Sequence, residues 1–187
     1  MRELIADLFI SLDGFASGAN EAAFFGYDGP NLRAWVDTEL NRPQVLLMGR
    51  NTYTGQATFA AAATDPMSIR MRELPKLVFS TTLREPLPWS NTQIIAGDLE
   101  QQIRTLKQQP GNAIRSIGSI QLVPSMMHHG LVDRLQLMIF PVILGDTGQE
   151  PIYAALQRTA LQLIDTKVLD ARLVLLEYGP QHRAKRA

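Results

Sequence analysis

AIRSIGSIQLVPSMMHHGLVDRLQLMIFPVILGDTG, residues 113–148, decides the fold class. Ile114 to Ile117 is a short run with branched apolar residues, suited to a strand, and Gly118-Ser119 stops it. Glycine lets the backbone turn sharply or approach a ligand closely, and Ser119 is a residue type that caps a helix. Leu122, Met126 and Met127 give the next segment a helical apolar stripe, with Gly130 placed to stop it. Pro124 would clash with the Ile120 carbonyl, so this helix either starts late or bends. Leu135 to Leu144 is almost wholly apolar, as in a strand covered on both faces, with Pro141 marking an edge or a bulge. A strand end feeding a glycine and a helix offers backbone N–H groups and the positive end of a dipole, both suited to phosphate. Ordinary strand-to-helix packing uses the same turn.

The pattern recurs upstream. Gln44 to Met48 reads as a strand, followed at once by Gly49-Arg50-Asn51-Thr52-Tyr53. Arg50 adds a guanidinium fork suited to phosphate, and Thr52 a hydroxyl beside a helix start. Lys76 to Ser80 is another strand, ending in Ser80-Thr81-Thr82, whose hydroxyls suit a sugar or phosphate and equally a plain turn. Thr92 to Ala96 is a fourth, and Asp98 caps a polar helix with Leu99, Ile103 and Leu106 facing inward.

The first strand, Leu4 to Ile10, alternates Leu4, Ala6, Leu8 and Ile10 against Ile5, Asp7 and Phe9. Asp7 is thus a carboxylate on an otherwise buried face, either a hydrogen-bonded structural acid or a group lining a pocket. Asp13-Gly14 ends the strand region, and Phe15 to Asn20 reads as a loop of small residues, where α/β sheets keep function. Pro30 to Leu40 is a helix with Leu32, Trp35, Val36 and Leu40 inward. Thr58 to Thr64 extends the second helix, Asp65-Pro66 breaks it, and Met67 to Leu74 is a short helix or loop. Ala160 to Val168 and Ala171 to Tyr178 form an antiparallel hairpin turning at Leu169-Asp170. The basic tail, 181–187, reads as disordered.

The chain has 187 residues, enough for one substantial core. Its 18 basic and 18 acidic residues cancel, so no global field draws it to nucleic acid or anionic lipid. It lacks cysteine, which excludes disulfides, thiolate metal sites and a cysteine nucleophile. Adjacent His128 and His129 diverge on a helix and make a poor metal pair; a helix C-terminus suits them better. No window approaches a membrane span, and Glu3 and Asp7 interrupt any signal-like run. Cytoplasm is the expected location. Phosphate-loop, full glycine-fingerprint and serine-elbow motifs are missing.

The ordered series strand–GRNTY–helix, strand–STTL, strand–GS–helix and FPVILGDTG resembles the dihydrofolate-reductase-like proteins. Within them it is most similar to the C-terminal reductase domain of the bifunctional riboflavin-biosynthesis deaminase–reductase. The resemblance implies an α/β fold: a mixed, mainly parallel sheet flanked by helices, ending in an antiparallel hairpin. It implies NADPH across the strand ends, held by Gly49, Arg50, Asn51 and Thr52, by Ser80 and Thr81 beside the ribose and its 2′-phosphate, and by Gly118, Ser119 and Ile120 over the pyrophosphate. Ser119 stands where a second glycine is commoner. Asp13, Gly14 and Phe15 match the loop facing nicotinamide and substrate. Asp13 is the candidate for positioning substrate or proton transfer; Gly14, Phe15 and Asp7 are substrate-side candidates. No deaminase half is present, and no metal is expected.

These readings lead to a single domain over 1–179 with a tail over 180–187. The expected activity is hydride transfer from NADPH to a small polar heterocycle, as in reduction of the ring-opened ribose of a riboflavin-pathway pyrimidine. The alternatives are a dihydrofolate or pterin reductase and a non-catalytic nucleotide-binding protein of the same fold. A homodimer is expected too, because the apolar strands Leu135 to Leu144 and Leu173 to Leu176 exceed what helices readily cover at an antiparallel sheet end.

Overall fold

Alternation along the first strand sets the layers. In the computed structural model, which describes residues 1–21, 23–60 and 63–181, β1 spans Leu4–Ser11. Its Leu4, Ala6, Leu8 and Ile10 side chains join one core with Ile103, Leu122, Val123 and Met126, from helices α4 (Leu99–Gln108) and α5 (Leu122–His128). Phe9 packs on the opposite face against Leu32 and Trp35 of α1 (Pro30–Asn41). A period of two in the strand thus separates two helical layers.

β1 lies inside an eight-stranded sheet. Its other strands are β3 (Gln44–Gly49), β4 (Lys76–Phe79), β5 (Thr92–Ile95), β6 (Ala113–Ile117), β7 (Arg134–Phe140), β9 (Leu161–Leu169) and β10 (Leu173–Pro180). The order is β5-β4-β3-β6-β1-β7-β10-β9. Pairings from β5 to β7 are parallel, and β10 pairs antiparallel with both β7 and β9. This is the mixed, mainly parallel sheet with a terminal hairpin. Helices α2 (Arg50–Ala60) and α3 (Pro66–Glu73) share the α1 side, through a core of Leu40, Met48, Tyr53 and Met71.

Several local expectations need correction. Ser119 does not cap α5: it holds φ +69°, and the helix begins at Leu122 after an uncapped Gln121. The late start puts Pro124 in the first turn, where its missing N–H has no intrahelical partner to lose. At the other end the Gly130 N–H donates to Met127 and the Leu131 N–H to Met126, the paired bonds of a Schellman stop, with Gly130 at φ +62°. β7 stops at Phe140 and does not run to Leu144, because Pro141 has no N–H for the ladder. Phe15 to Asn20 is not all loop. Phe15–Gly18 forms β2, paired antiparallel with β8 (Gly148–Pro151) as a second small sheet.

The hairpin turns one residue later than expected. Asp170 and Ala171 take φ +51° and +54°, and the Arg172 N–H donates to Leu169, as in a type I′ turn. Most of the faces expected to be bare are covered: Leu135, Leu137, Met138, Phe140, Leu173 and Leu175 are buried, although Ile143 is exposed. Further exposed apolar side chains lie on edge strand β9, at Leu163, Ile164 and Val168. The second helix runs to Ala60; Ala61 and Ala62 and the basic tail 182–187 lie outside the described residues.

Candidate active site at the carboxyl ends of the strands

Three parallel strands deliver their turns to one place. β3 passes from Gly49 into Arg50, the first residue of α2, with no intervening loop. A Cβ added to Gly49 would lie 2.6 Å from Ser119 Oγ, so the β3 and β6 turns touch. Gly118 holds φ +61°, and a Cβ there would be 3.6 Å from Thr52 Cγ2. At Gly118 the positive φ, which a side chain adopts only with strain, makes glycine the fitting residue. The β4 turn closes the group: Arg50 Nη1 donates to Thr82 Oγ1 at 3.2 Å. Ser80 Oγ accepts the Thr82 and Leu83 N–H groups at 3.2 and 3.0 Å, which shapes that turn.

The charge here is uncommitted. Arg50 otherwise meets only the neighbouring Asn51 amide oxygen, and Arg84 donates only to the Thr81 and Leu83 carbonyls. Neither arginine has a carboxylate partner among the described residues. Arg84 escaped the sequence reading, although an arginine three residues after Thr81 was the available signal. Ile120 is half-buried against the α5-side core, so its contribution is a backbone position and an apolar edge.

The β1 turn follows on the same edge of the sheet, next to β6. Asp13 is fully engaged there. Its carboxylate accepts from Ser11 Oγ at 2.7 Å and from the Leu144 and Gly145 N–H groups at 3.1 and 2.8 Å. Those bonds hold its pKa below the usual carboxylate value. An ionised acid with its lone pairs occupied is built as a clasp between the β1 turn and the segment after β7, and is a poor proton donor. Ser11 Oγ also accepts the Phe15 N–H at 2.9 Å. Gly14 is needed for close approach, since a Cβ there would meet the Tyr153 ring at 2.6 Å. Phe15 pairs with Pro151 in the small sheet.

Asp7 occupies the α1 face of β1, beneath these turns. It forms a buried ion pair with Arg115 of β6, which also pairs with Glu39 of α1. Arg115 further donates to Gln44 at 2.8 Å and to Gln136 at 3.1 Å. Gln136 donates to Glu177 at 2.6 Å, and Glu177 accepts from Arg134 at 2.8 Å. One polar layer thus crosses five adjacent strands. Burial pushes the Asp7 pKa up to about 6, outweighing the opposing pull of Arg115. Arg115 and Glu39 were not picked out from the sequence; an arginine inside an apolar strand run was the missed signal.

An aromatic layer sits directly above. Phe9 lies two residues along β1 from Asp7, and Trp35 one helical turn along α1 from Glu39. Their ring centroids are 6.0 Å apart. Phe24, Phe25 and Tyr27 surround Phe140 at 6.4, 5.2 and 5.9 Å, completing a half-buried aromatic wall. A buried acid thus lies next to an aromatic layer on the α1 face of the sheet.

The model of the RibD C-terminal domain matches residues 2–175. The chain belongs to that family. It is 29% identical over 185 residues to the uncharacterized protein YyaP of Bacillus subtilis (strain 168), covering 95% of this chain and 94% of that one. A putative riboflavin biosynthesis protein from Shewanella sp. PV-4 shares the fold with a TM-score of 0.79 at 22% identity, covering 96% of this chain and 99% of that one. Dihydrofolate reductase from Enterococcus faecalis, solved with NADP(H), has a TM-score of 0.61 at 13% identity, with 96% of each chain covered. The deaminase–reductase from Thermotoga maritima gives 0.66 at 13% identity over 96% of this chain and 56% of its own. The family and its dihydrofolate-reductase-like fold therefore agree with the order of turns described above. No helix among the described residues is long and apolar enough to cross a membrane.

Proposed function

We propose that this RibD C-terminal domain protein is an NADPH-dependent reductase of a small polar heterocycle, related in chemistry to the riboflavin-pathway pyrimidine reductases. The observation that carries the reading is the meeting of the Gly49, Ser80 and Gly118 turns around an Arg50 that no carboxylate neutralises. Gly49, Asn51, Thr52 and the Gly118-Ser119-Ile120 segment frame the pyrophosphate; Arg50, Ser80 and Thr81 frame the ribose and its 2′-phosphate. When bound, NADPH supplies the hydride. Gly14 and Phe15 border the reacting ring, Asp13 fixes their turn, and Asp7 lies below. The protein's part is to orient both rings and keep water out.

Spectrophotometric NADPH oxidation against a panel of pyrimidines and pterins tests this. Steady turnover with a member of the panel is expected. Tight NADPH binding with no turnover by any member would favour a non-catalytic nucleotide-binding role.

The domain spans 1–179, works in the cytoplasm, and pairs with a second copy along β9. Support for the pairing is the exposed edge carrying Leu163, Ile164 and Val168, an arrangement that lone proteins seldom leave open. Light scattering should give a dimer mass for the native chain and a monomer mass for Val168→Lys. A monomeric native chain would remove the pairing.

A further inference from the structure

Two buried side-chain polar atoms, Asp7 Oδ1 and Trp89 Nε1, have no hydrogen-bond partner among the described residues. Trp89 lies in the distant α2–α3 core beside Tyr53. Asp7 Oδ1 lies beneath the proposed substrate layer. A buried acceptor left unpaired costs stability, and more so for a charged group, so a native chain that keeps one calls for a reason.

We infer that Asp7 Oδ1 is the specificity-determining acceptor for a single ring N–H of a planar lactam-type heterocycle, with Arg115 and Glu39 as positioning residues. The inference rests on the reductase reading of the cleft.

The geometry limits what the acid can recognise. Oδ2 is committed to Arg115, so one oxygen is free and a forked pair of N–H donors has nothing to grip. Arg115 cannot swing away to release the other, because Glu39, Gln44 and Gln136 hold its remaining N–H groups. Glu39 and Glu177 are the other carboxylates of the layer, and both are tied to arginines. Phe9 and Trp35 stand above with ring centroids 6.0 Å apart, too close to admit a third ring between them. Trp35 lies one helical turn from Glu39, so a ring bound at Oδ1 should perturb it, whereas Trp89 belongs to the other core.

Uracil and its doubly N-methylated form are the probes, since methylation removes both ring N–H groups and keeps the planar dione. Binding to the full chain is followed by Trp35 fluorescence and by ligand-observed nuclear magnetic resonance, with Trp35→Phe as the optical control. The native chain is expected to bind uracil at least tenfold tighter than the methylated ring. In Asp7→Asn, Arg115 Nη1 takes the amide oxygen, which leaves an NH₂ donor facing the ligand; the preference should fall towards unity. Arg115→Lys keeps the charge and loses the fork, and should lower the preference ratio, a readout that a merely structural role would leave alone. If Asp7→Asn does not fold, the native chain with the two rings still decides. Equal affinity for both rings, no binding of either, or an undiminished preference in folded Asp7→Asn would each overturn the assignment. NADPH titration of the same sample separates the failures: retained cofactor binding confines the loss to Asp7, and its absence removes the reductase reading itself.

Discussion

The Gly118 N–H donates to the Asp7 backbone carbonyl at 3.0 Å. This bond joins the turn proposed to cover the cofactor to the residue that floors the proposed substrate layer. It continues the parallel β1–β6 register by one step past Asp7↔Ile117. Displacement of the turn is therefore felt in β1.

Gly118→Ala should lower stability a little and binding more. The added methyl meets only ordinary contacts, with Thr52 Cγ2 at 3.6 Å, but the backbone stays at φ +61°. A left-handed alanine costs on the order of 1 kcal/mol, read as a small fall in the urea midpoint. The methyl also stands where the pyrophosphate would approach, so NADPH affinity should fall by about tenfold or more. A variant with native affinity would move the cofactor off this turn.

Arg50→Ala should weaken binding and leave stability nearly unchanged. Arg50 is exposed and bonded only to Asn51 and Thr82 side chains, so stability should hardly change. Losing a charge-assisted contact of about 1.5–3 kcal/mol should weaken NADPH at least tenfold, with a smaller effect on NADH. Equal losses for the two dinucleotides would take Arg50 away from the 2′-phosphate.

Asp7 gives the stability a pH dependence of definite sign. Its folded-state pKa, about 6, lies above the ordinary 3.8, so the native state holds this proton more tightly than the unfolded chain. Its contribution is fully present below about pH 4 and is lost as pH rises through about 6. Relative to Asp7→Asn, the native chain should lose on the order of 3 kcal/mol across that window, measurable by urea unfolding at several pH values. A flat difference would mean that Arg115 balances burial, and a rise with pH that it outweighs burial. Arg115→Met strands Asp7 and Glu39 without their cation and should cost roughly 3–5 kcal/mol at neutral pH.

Asp170 caps a helix 139 residues before it. Its two oxygens accept the Asn31 and Leu32 N–H groups, each at 2.9 Å, doing for α1 what Gly29 at the N-cap position cannot. Asp170→Ala should cost about 1–2 kcal/mol and loosen the helix that carries Trp35 and Glu39. An unchanged melting temperature would show the cap to be redundant.

Which features were legible in the sequence follows from the range of the forces behind them. The β1 alternation, the Asp98 cap and the Gly130 stop are local, and each formed as read. The order of glycine turns carried the family and the sheet. Long-range pairings did not announce themselves. β2 and β8 are four residues each with no apolar run, and they are joined by long-range contacts, among them the clasp of Asp13 on Leu144 and Gly145 and the Leu12-to-Val142 backbone bond. Asp7 was legible as an acid on a buried face, but its partner Arg115 lies 108 residues away, and only the β1–β6 pairing joins them. Asp13 was legible as the candidate for substrate positioning or proton transfer, but not its hydrogen bonds from Leu144 and Gly145, which come from a segment more than 130 residues away.

Fluorescence titration of the native chain with NADPH, run beside NADH, tests the meeting of the three strand ends most directly. Saturable one-site binding with NADPH at least tenfold tighter is expected, because the 2′-phosphate proposed to meet Arg50, Ser80 and Thr81 is present only in NADPH. No saturable binding, or equal affinity for the two, would contradict it.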